Sequence, residues 1–263
     1  MSHLAIALIS DVFFQADGVD RLRLRLREAR AGGADLAVLP ELPLNRWSPA
    51  TPNPSDADAE PPDGPRAETL GRAARESGVA LLGGVIQRDP ASGRRLNTAL
   101  LFDARGDLAA SYRKLHLPEE AGFHETHHYE PGDAAPEVVS AFAMPIGLQI
   151  CSDANRPLGT YSLAAQGAEA ILIPRATEAA TFDRWRLVFQ ANALVSSSYV
   201  VSVNRPVTEQ GVALGGPSIV VSPDGRVLLE TTDPVAVVTL DREVVASARR
   251  SYPGYLAWRF DVF

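Results

Sequence analysis

A single cysteine, Cys151, closes the apolar run Ile146-Gly-Leu-Gln-Ile150 and is followed by Ser152-Asp153. A thiol becomes a nucleophile when a base or a nearby cation favours the thiolate. Residues of both types stand in comparable places: Glu41 follows Asp35-Leu-Ala-Val-Leu-Pro40, and Lys114 closes the segment 108–114. Each of the three ends a segment that reads as a strand, and strands of one sheet bring their ends together across any separation in sequence. When a thiolate attacks a carbonyl, the oxygen becomes an anion that Lys114 and the Ser152 N–H could hold, one such donor being worth about 3–4 kcal/mol. Taken singly, each residue also has a plain reading, as an inert core thiol, a loop carboxylate and a strand-end charge.

The elements that must position these groups follow from periodicity. Residues 146–150 form a short buried strand and 153–157 a turn, after which Leu158, Tyr161, Leu163, Ala164 and Ala165 mark a helix to Gly167. Strand, turn and helix in that order make a nucleophile elbow. Upstream, a strand over 2–10 precedes a helix with Val19, Leu22, Leu26 and Ala29 at helical spacing, whose many arginines form a solvated face. Residues 48–65, rich in Pro, Asp and Ala, are expected to be a long loop beside Glu41 and a candidate lid. A helix over 68–77 and strands over 79–87, 96–103 and 108–114 come next. After the cysteine, strands over 170–174 and 199–204 bracket a helix over 182–195, and strands over 218–221, 226–230 and 235–240 complete the pattern.

Composition narrows the function. The chain has 263 residues, 46% of them hydrophobic, which suits one domain over 1–263 with a large core. A net charge of -7 argues against nucleic-acid partners, which require a clustered basic excess. One cysteine forms no internal disulfide, so a reducing, cytoplasmic location is expected. The apolar start is too short to span a membrane, and no membrane partner is expected.

Leu39-Pro-Glu41, Tyr112-Arg-Lys114-Leu-His116-Leu and Leu148-Gln-Ile-Cys151-Ser-Asp153 resemble the three motifs of the carbon-nitrogen hydrolase (nitrilase) superfamily. Gly167-Ala-Glu169 and Val203-Asn204-Arg205 are similar to further landmarks, so the likeness spans nearly the whole chain. The segment from Lys114 to Asp133 is most similar to the amidase branch that includes N-carbamoylputrescine amidase and N-carbamoyl amino acid amidohydrolase. The resemblance implies an α/β fold, a four-layer αββα sandwich of the nitrilase type. It also implies a Glu41, Lys114, Cys151 triad with Glu125 as a second active-site glutamate, and no cofactor or metal. The expected reaction is hydrolysis of a small amide or N-carbamoyl compound through a thioester. The alternatives are a nitrilase acting on C≡N or a non-catalytic binding protein on the same fold.

Ser152 stands where relatives often carry an aromatic residue, and Leu158 follows Pro157 where they carry Glu. The pocket is therefore expected to involve Ser152, Arg156, Arg175 and Glu178. Two arginines would suit a carboxylate-bearing substrate. Glu125, Glu130, Glu178 and the acidic residues 56–63 would suit an amine instead. His124-Glu125-Thr126-His127-His128 also matches the zinc pattern H-E-x-x-H, but Pro118, Gly122, Pro131 and Gly132 leave little room for the helix that pattern needs. The tail with Trp258, Phe260 and Phe263 is expected to dock, and a homodimer or higher homo-oligomer follows.

Overall fold

The computed structural model describes residues 3–259. One sheet runs in the order Val235–Asp241, His3–Ile9, Leu36–Val38, Ala80–Arg88, Arg95–Phe102 and Leu108–Arg113. Within it His3–Ile9, Leu36–Val38 and Ala80–Arg88 are parallel, Val235–Asp241 and Arg95–Phe102 pair antiparallel on either side of them, and Leu108–Arg113 is antiparallel to Arg95–Phe102. The other sheet repeats this plan. Ile146–Leu148, Ala170–Arg175 and Tyr199–Asn204 are parallel, Ser218–Val221 and Val227–Thr231 continue antiparallel, and Val138–Val139 pairs on the opposite edge.

Side-chain alternation makes the layers. In His3–Ile9, Leu4, Ile6 and Leu8 enter the core between the sheets, whereas Ala7 and Ile9 face the helices Gly18–Ala31 and Pro65–Ser77. In the other sheet Leu172 and Val201 enter the same central core, while Ile171, Ile173 and Val200 face the helices Pro157–Ala165 and Phe182–Ser196. Parallel strands covered on both faces need apolar residues at successive positions, which is why these segments read as continuous apolar runs. The result is the αββα sandwich. Strand ends lie within a residue or two of those read from periodicity.

On the helix Gly18–Ala31 the buried side chains are Leu22, Leu26 and Ala29, and the arginines pair outward, Arg23 with Glu76 at 2.9 Å and Arg25 with Asp11 at 3.0 Å. Solvent-exposed pairs of this kind contribute little to stability, so this face is ionic surface. The helix Pro65–Ser77 begins on proline and ends on Gly78, whose φ of 64° gives the left-handed cap that glycine adopts without penalty.

Two regions differ from the expectation. Residues 48–65 are tied down: they contain the 3₁₀ turns Ser48–Ala50 and Asp56–Asp58, and Ala59–Glu60 pairs with Ala80–Arg88. Buried Glu60 then accepts from the backbone N–H groups of Arg66 and Ala67 at 3.0 and 2.8 Å, capping the next helix. A helix at Arg242–Arg250, capped by Asp241 accepting from the Glu243 N–H at 2.9 Å, was not legible because only Val244 and Val245 give it an apolar side. Trp258 packs edge-on against Tyr161 with ring centroids 4.7 Å apart, while Phe260 and Phe263 lie outside the described residues. Among the described residues no helix is long and apolar enough to cross a membrane.

Candidate active site

Glu41 lies three residues beyond the strand Leu36–Val38, on a turn made by Leu42 at φ 49°. A Cβ at Gly84 would lie 3.1 Å from the Leu42 nitrogen, so glycine there lets the turn settle on the adjacent strand. Arg205 fixes the turn from beneath, donating to the carbonyls of Glu41 and Leu42 at 2.8 Å each and of Asn45 at 2.9 Å. The Glu41 carboxylate is buried. Its Oε1 accepts from Asn97 Nδ2 and from Lys114 Nζ, each at 2.8 Å, and its Oε2 is buried with no hydrogen-bond partner among the described residues.

Lys114 follows the strand Leu108–Arg113, and its N–H donates to the Asn97 carbonyl at 2.9 Å, so strand pairing delivers both Asn97 and the ammonium to Glu41. The same Nζ donates to Glu125 Oε1 and Oε2 at 2.6 and 2.7 Å. Glu125 opens the short helix Glu125–His128 and is fully buried. One ammonium thus faces two carboxylates. Burial alone would lower the Lys114 pKa, but Glu125 and then Glu41 hold the ammonium protonated well above the ordinary lysine range. Burial and the Glu41 carboxylate push Glu125 up to about 8, against the pull of Lys114. Both Glu125 oxygens stand within hydrogen-bond distance of the ammonium, and the cluster gains or loses the Glu125 proton within reach of neutrality.

Cys151 opens the 3₁₀ turn Cys151–Asn155 with φ 45°, a left-handed conformation that is uncommon for a residue with a side chain. Asp153 holds it there and ties it to the lysine strand. Asp153 Oδ2 accepts from the Ile150 N–H at 3.1 Å and from Tyr112 OH at 2.9 Å, while Oδ1 accepts from the Leu115 and His116 N–H groups at 3.2 and 2.9 Å. One buried carboxylate therefore sets the Cys151 sulfur and the Lys114 ammonium in register across the two sheets. Burial and then the Glu41 charge raise the Cys151 pKa well above the ordinary thiol range, so the resting sulfur is protonated.

The sulfur opens onto a cleft of about 130 Å³ whose lining includes Ser152, Glu178, Glu120, Phe123, Thr177 and Trp185. A larger cleft, of about 650 Å³ against Leu108–Arg113, does not include Cys151 in its lining. None of residues 48–65 lines the Cys151 cleft. Of the expected pocket residues, Ser152 and Glu178 line it and the arginines do not. Arg156 is exposed and donates to the Asn155 carbonyl at 3.1 Å. Arg175 is fully buried; it donates to Ser202 Oγ at 3.1 Å, to Thr177 Oγ1 and to the Pro217 carbonyl, with its guanidinium 5.6 Å from the Phe182 and Phe189 ring centres. Burial lowers its pKa to about 9. A guanidinium so engaged has no free edge for a substrate carboxylate. The H-E-x-x-H pairing also dissolves, since His128 is buried with Nε2 2.7 Å from the Thr51 carbonyl.

Two positioning residues went unread in the sequence: Asn97, a polar side chain inside an apolar strand, and Asp153, quoted only as part of a motif. The first carried a signal, because an amide in a buried strand needs a partner.

The carbon-nitrogen hydrolase family model matches residues 11–250. The chain is 29% identical over 272 residues to omega-amidase NIT2 of Homo sapiens, covering 99% of this chain and 96% of the relative. It is 26% identical over 283 residues to N-carbamoylputrescine amidase of Arabidopsis thaliana, covering 100% and 93%. Among solved structures, a variant amidase from Nesterenkonia sp. AN1, with the acetamide moiety of fluoroacetamide bound covalently to its active-site cysteine, superposes with a TM-score of 0.77 at 26% identity over 95% of each chain. The chain therefore belongs to the carbon-nitrogen hydrolase family within the nitrilase superfamily, and it is a hydrolase acting on carbon–nitrogen bonds.

Proposed function

We propose that the protein is a cysteine amidohydrolase that cleaves a small amide or N-carbamoyl group through a thioester. The observation that carries this reading is the asymmetry of Glu41: one oxygen is engaged by Asn97 and Lys114, and the other is buried and unpartnered within electrostatic reach of a protonated Cys151. That free oxygen is the base. It takes the thiol proton as sulfur attacks the carbonyl carbon, and Lys114 with the Ser152 N–H holds the oxyanion. The C–N bond then breaks, and the proton on Glu41 passes to the departing nitrogen as ammonia or an amine leaves. Glu41 next deprotonates a water that attacks the thioester, and as the C–S bond breaks the sulfur takes that proton back from Glu41, which restores the thiol. Glu125 holds Lys114 in place throughout. The covalent adduct on the cysteine of the Nesterenkonia amidase supports the same nucleophile here.

Among the described residues the cleft lining carries two carboxylates, Glu120 and Glu178, and no Lys or Arg. This favours a substrate whose far end is neutral or cationic, such as an N-carbamoyl amine, over the carboxylate-bearing compound that the arginines suggested. Its small volume suits a carbamoyl or short acyl group. Exposed Leu158 and Leu187 on the outer helices, each 68% accessible, support self-association through that layer, which sedimentation at micromolar concentration tests.

The decisive experiment is a panel of N-carbamoyl amines, N-carbamoyl amino acids, simple amides, ω-amides of dicarboxylates and nitriles, read by ammonia release and by mass spectrometry of the trapped acyl-enzyme. Cationic carbamoyl amines or neutral amides should lead, with the acyl group on Cys151 and kcat independent of chelators. Preference for anionic substrates would overturn the substrate reading, and an adduct elsewhere would overturn the mechanism.

A further inference from the structure

The rim of the cleft carries a second cluster that the thiol chemistry does not use. Glu119–Glu120 and Phe123–His124 form a two-stranded hairpin turning at Gly122, and the pairing sets Glu119 opposite His124. The helix Glu125–His128 follows immediately and returns His127 to the same side, three residues on. Donor atoms of Glu119, His124 and His127 consequently lie within 4.8 Å of one another. His124 Nδ1 is 2.7 Å and His127 Nε2 is 3.6 Å from Glu119 Oε1. Ligands of a tetrahedral ion with bonds near 2.0 Å stand about 3.3 Å apart, so these separations straddle the requirement and small side-chain rotations meet it. The Thr126 hydroxyl donates to the other Glu119 oxygen and orients the carboxylate, as an outer partner of a ligand does.

We infer that Glu119, His124 and His127 form a binding site for a zinc-class divalent cation, separate from the Cys151 centre. Two imidazoles and one carboxylate are a donor set that zinc accepts, with water in the fourth place. The ligand side chains are 40%, 25% and 50% accessible, so an ion can enter from solvent. Pro118, Glu120 and Phe123 of the cleft wall belong to this segment. The ion clamps hairpin to helix and fixes that wall, so its effect falls on substrate KM and leaves kcat in place.

The test uses the full chain with Cys151→Ala, which removes the competing thiolate. Isothermal titration of the metal-free protein with zinc chloride should give one saturable site per chain and raise the Tm. Glu119→Gln and His127→Ala should each weaken binding at least about tenfold, and Thr126→Val by less, while Glu120→Gln keeps the parental affinity. Metal-free melting curves matching the parent's establish that the variants are folded. The visible spectrum of bound cobalt should be tetrahedral and disappear in the same variants. Absence of saturable binding would overturn the inference. So would binding that survives both Glu119→Gln and His127→Ala, or binding lost only in His128→Ala.

Discussion

Two buried cations meet the Glu41 turn, Lys114 at its carboxylate and Arg205 at its carbonyls, and are satisfied in opposite ways. Arg205 meets Glu209 through Nε at 2.8 Å and Nη2 at 2.7 Å, and three backbone carbonyls take its remaining hydrogen bonds. Its partner Glu209 also accepts from the Trp47 N–H at 3.1 Å. One positive and one negative charge cancel, and every donor has an acceptor. Lys114 instead serves two carboxylates, and Glu41 Oε2 is left over. A completed buried network rigidifies a fold, whereas an incomplete one carries unspent proton affinity. The contrast separates a structural cluster from the proposed reactive one when both are buried and share the same turn.

The sharpest way to break this contrast is to remove one member from each cluster. Cys151→Ala should abolish turnover, and Glu41→Gln should lower kcat by at least about a thousandfold, both with Tm little changed. Arg205→Met should do the reverse to the fold, costing about 3–5 kcal/mol because Glu209 and the turn carbonyls lose their donor. Denaturant unfolding beside single-turnover kinetics would show it. If Glu41→Gln unfolded the chain while Arg205→Met left it stable, the roles of the clusters would be exchanged.

A smaller effect is expected at Lys114. Lys114→Met should lower kcat by about a hundredfold or more through loss of an oxyanion donor, and a change confined to KM would remove it from the chemistry.

The pH profile sharpens the comparison further. Below about 8 Glu125 tends to hold its proton, and Glu41 with Lys114 then makes a neutral pair. Above that pH a second carboxylate charge faces Lys114, Glu41, Asp153 and the Cys151 sulfur, and forming a thiolate becomes harder. kcat/KM should therefore fall through a limb near 8, and Glu125→Gln, at reduced overall activity, should erase that limb. A limb unmoved in the variant would assign it to another group.

The smallest predicted effect concerns the cleft. Glu178→Gln should raise KM for a cationic carbamoyl amine about tenfold, or ~1.4 kcal/mol, and leave neutral amides unchanged. Arg156→Ala should change neither by more than about twofold.

The sequence exposed the strand ends, and with them Glu41, Lys114 and Cys151, because apolar runs that stop abruptly at a reactive residue are a local signal. Arg175 shows where that signal fails. A polar residue at a strand end can turn toward the cleft or into the core, and the choice was made by Ser202 and two phenylalanines on other elements. Residues 48–65 read as free loop for a related reason: Glu60 is anchored by backbone N–H groups that no side-chain pattern displays. Asp153 belongs to the same class, since its partners 37 to 41 residues upstream are joined to it only by tertiary structure.

The Asp153 tie has a consequence for how the enzyme dies on heating. It links the turn that carries the sulfur to the strand that carries the ammonium, and those two belong to different sheets that share one core. Fraying of an outer helix leaves both in place, while separation of the sheets removes the proposed nucleophile and the ammonium from each other at once. Inactivation and global melting should therefore follow one curve, with no species that keeps its sheets together yet has lost only half of its catalytic set.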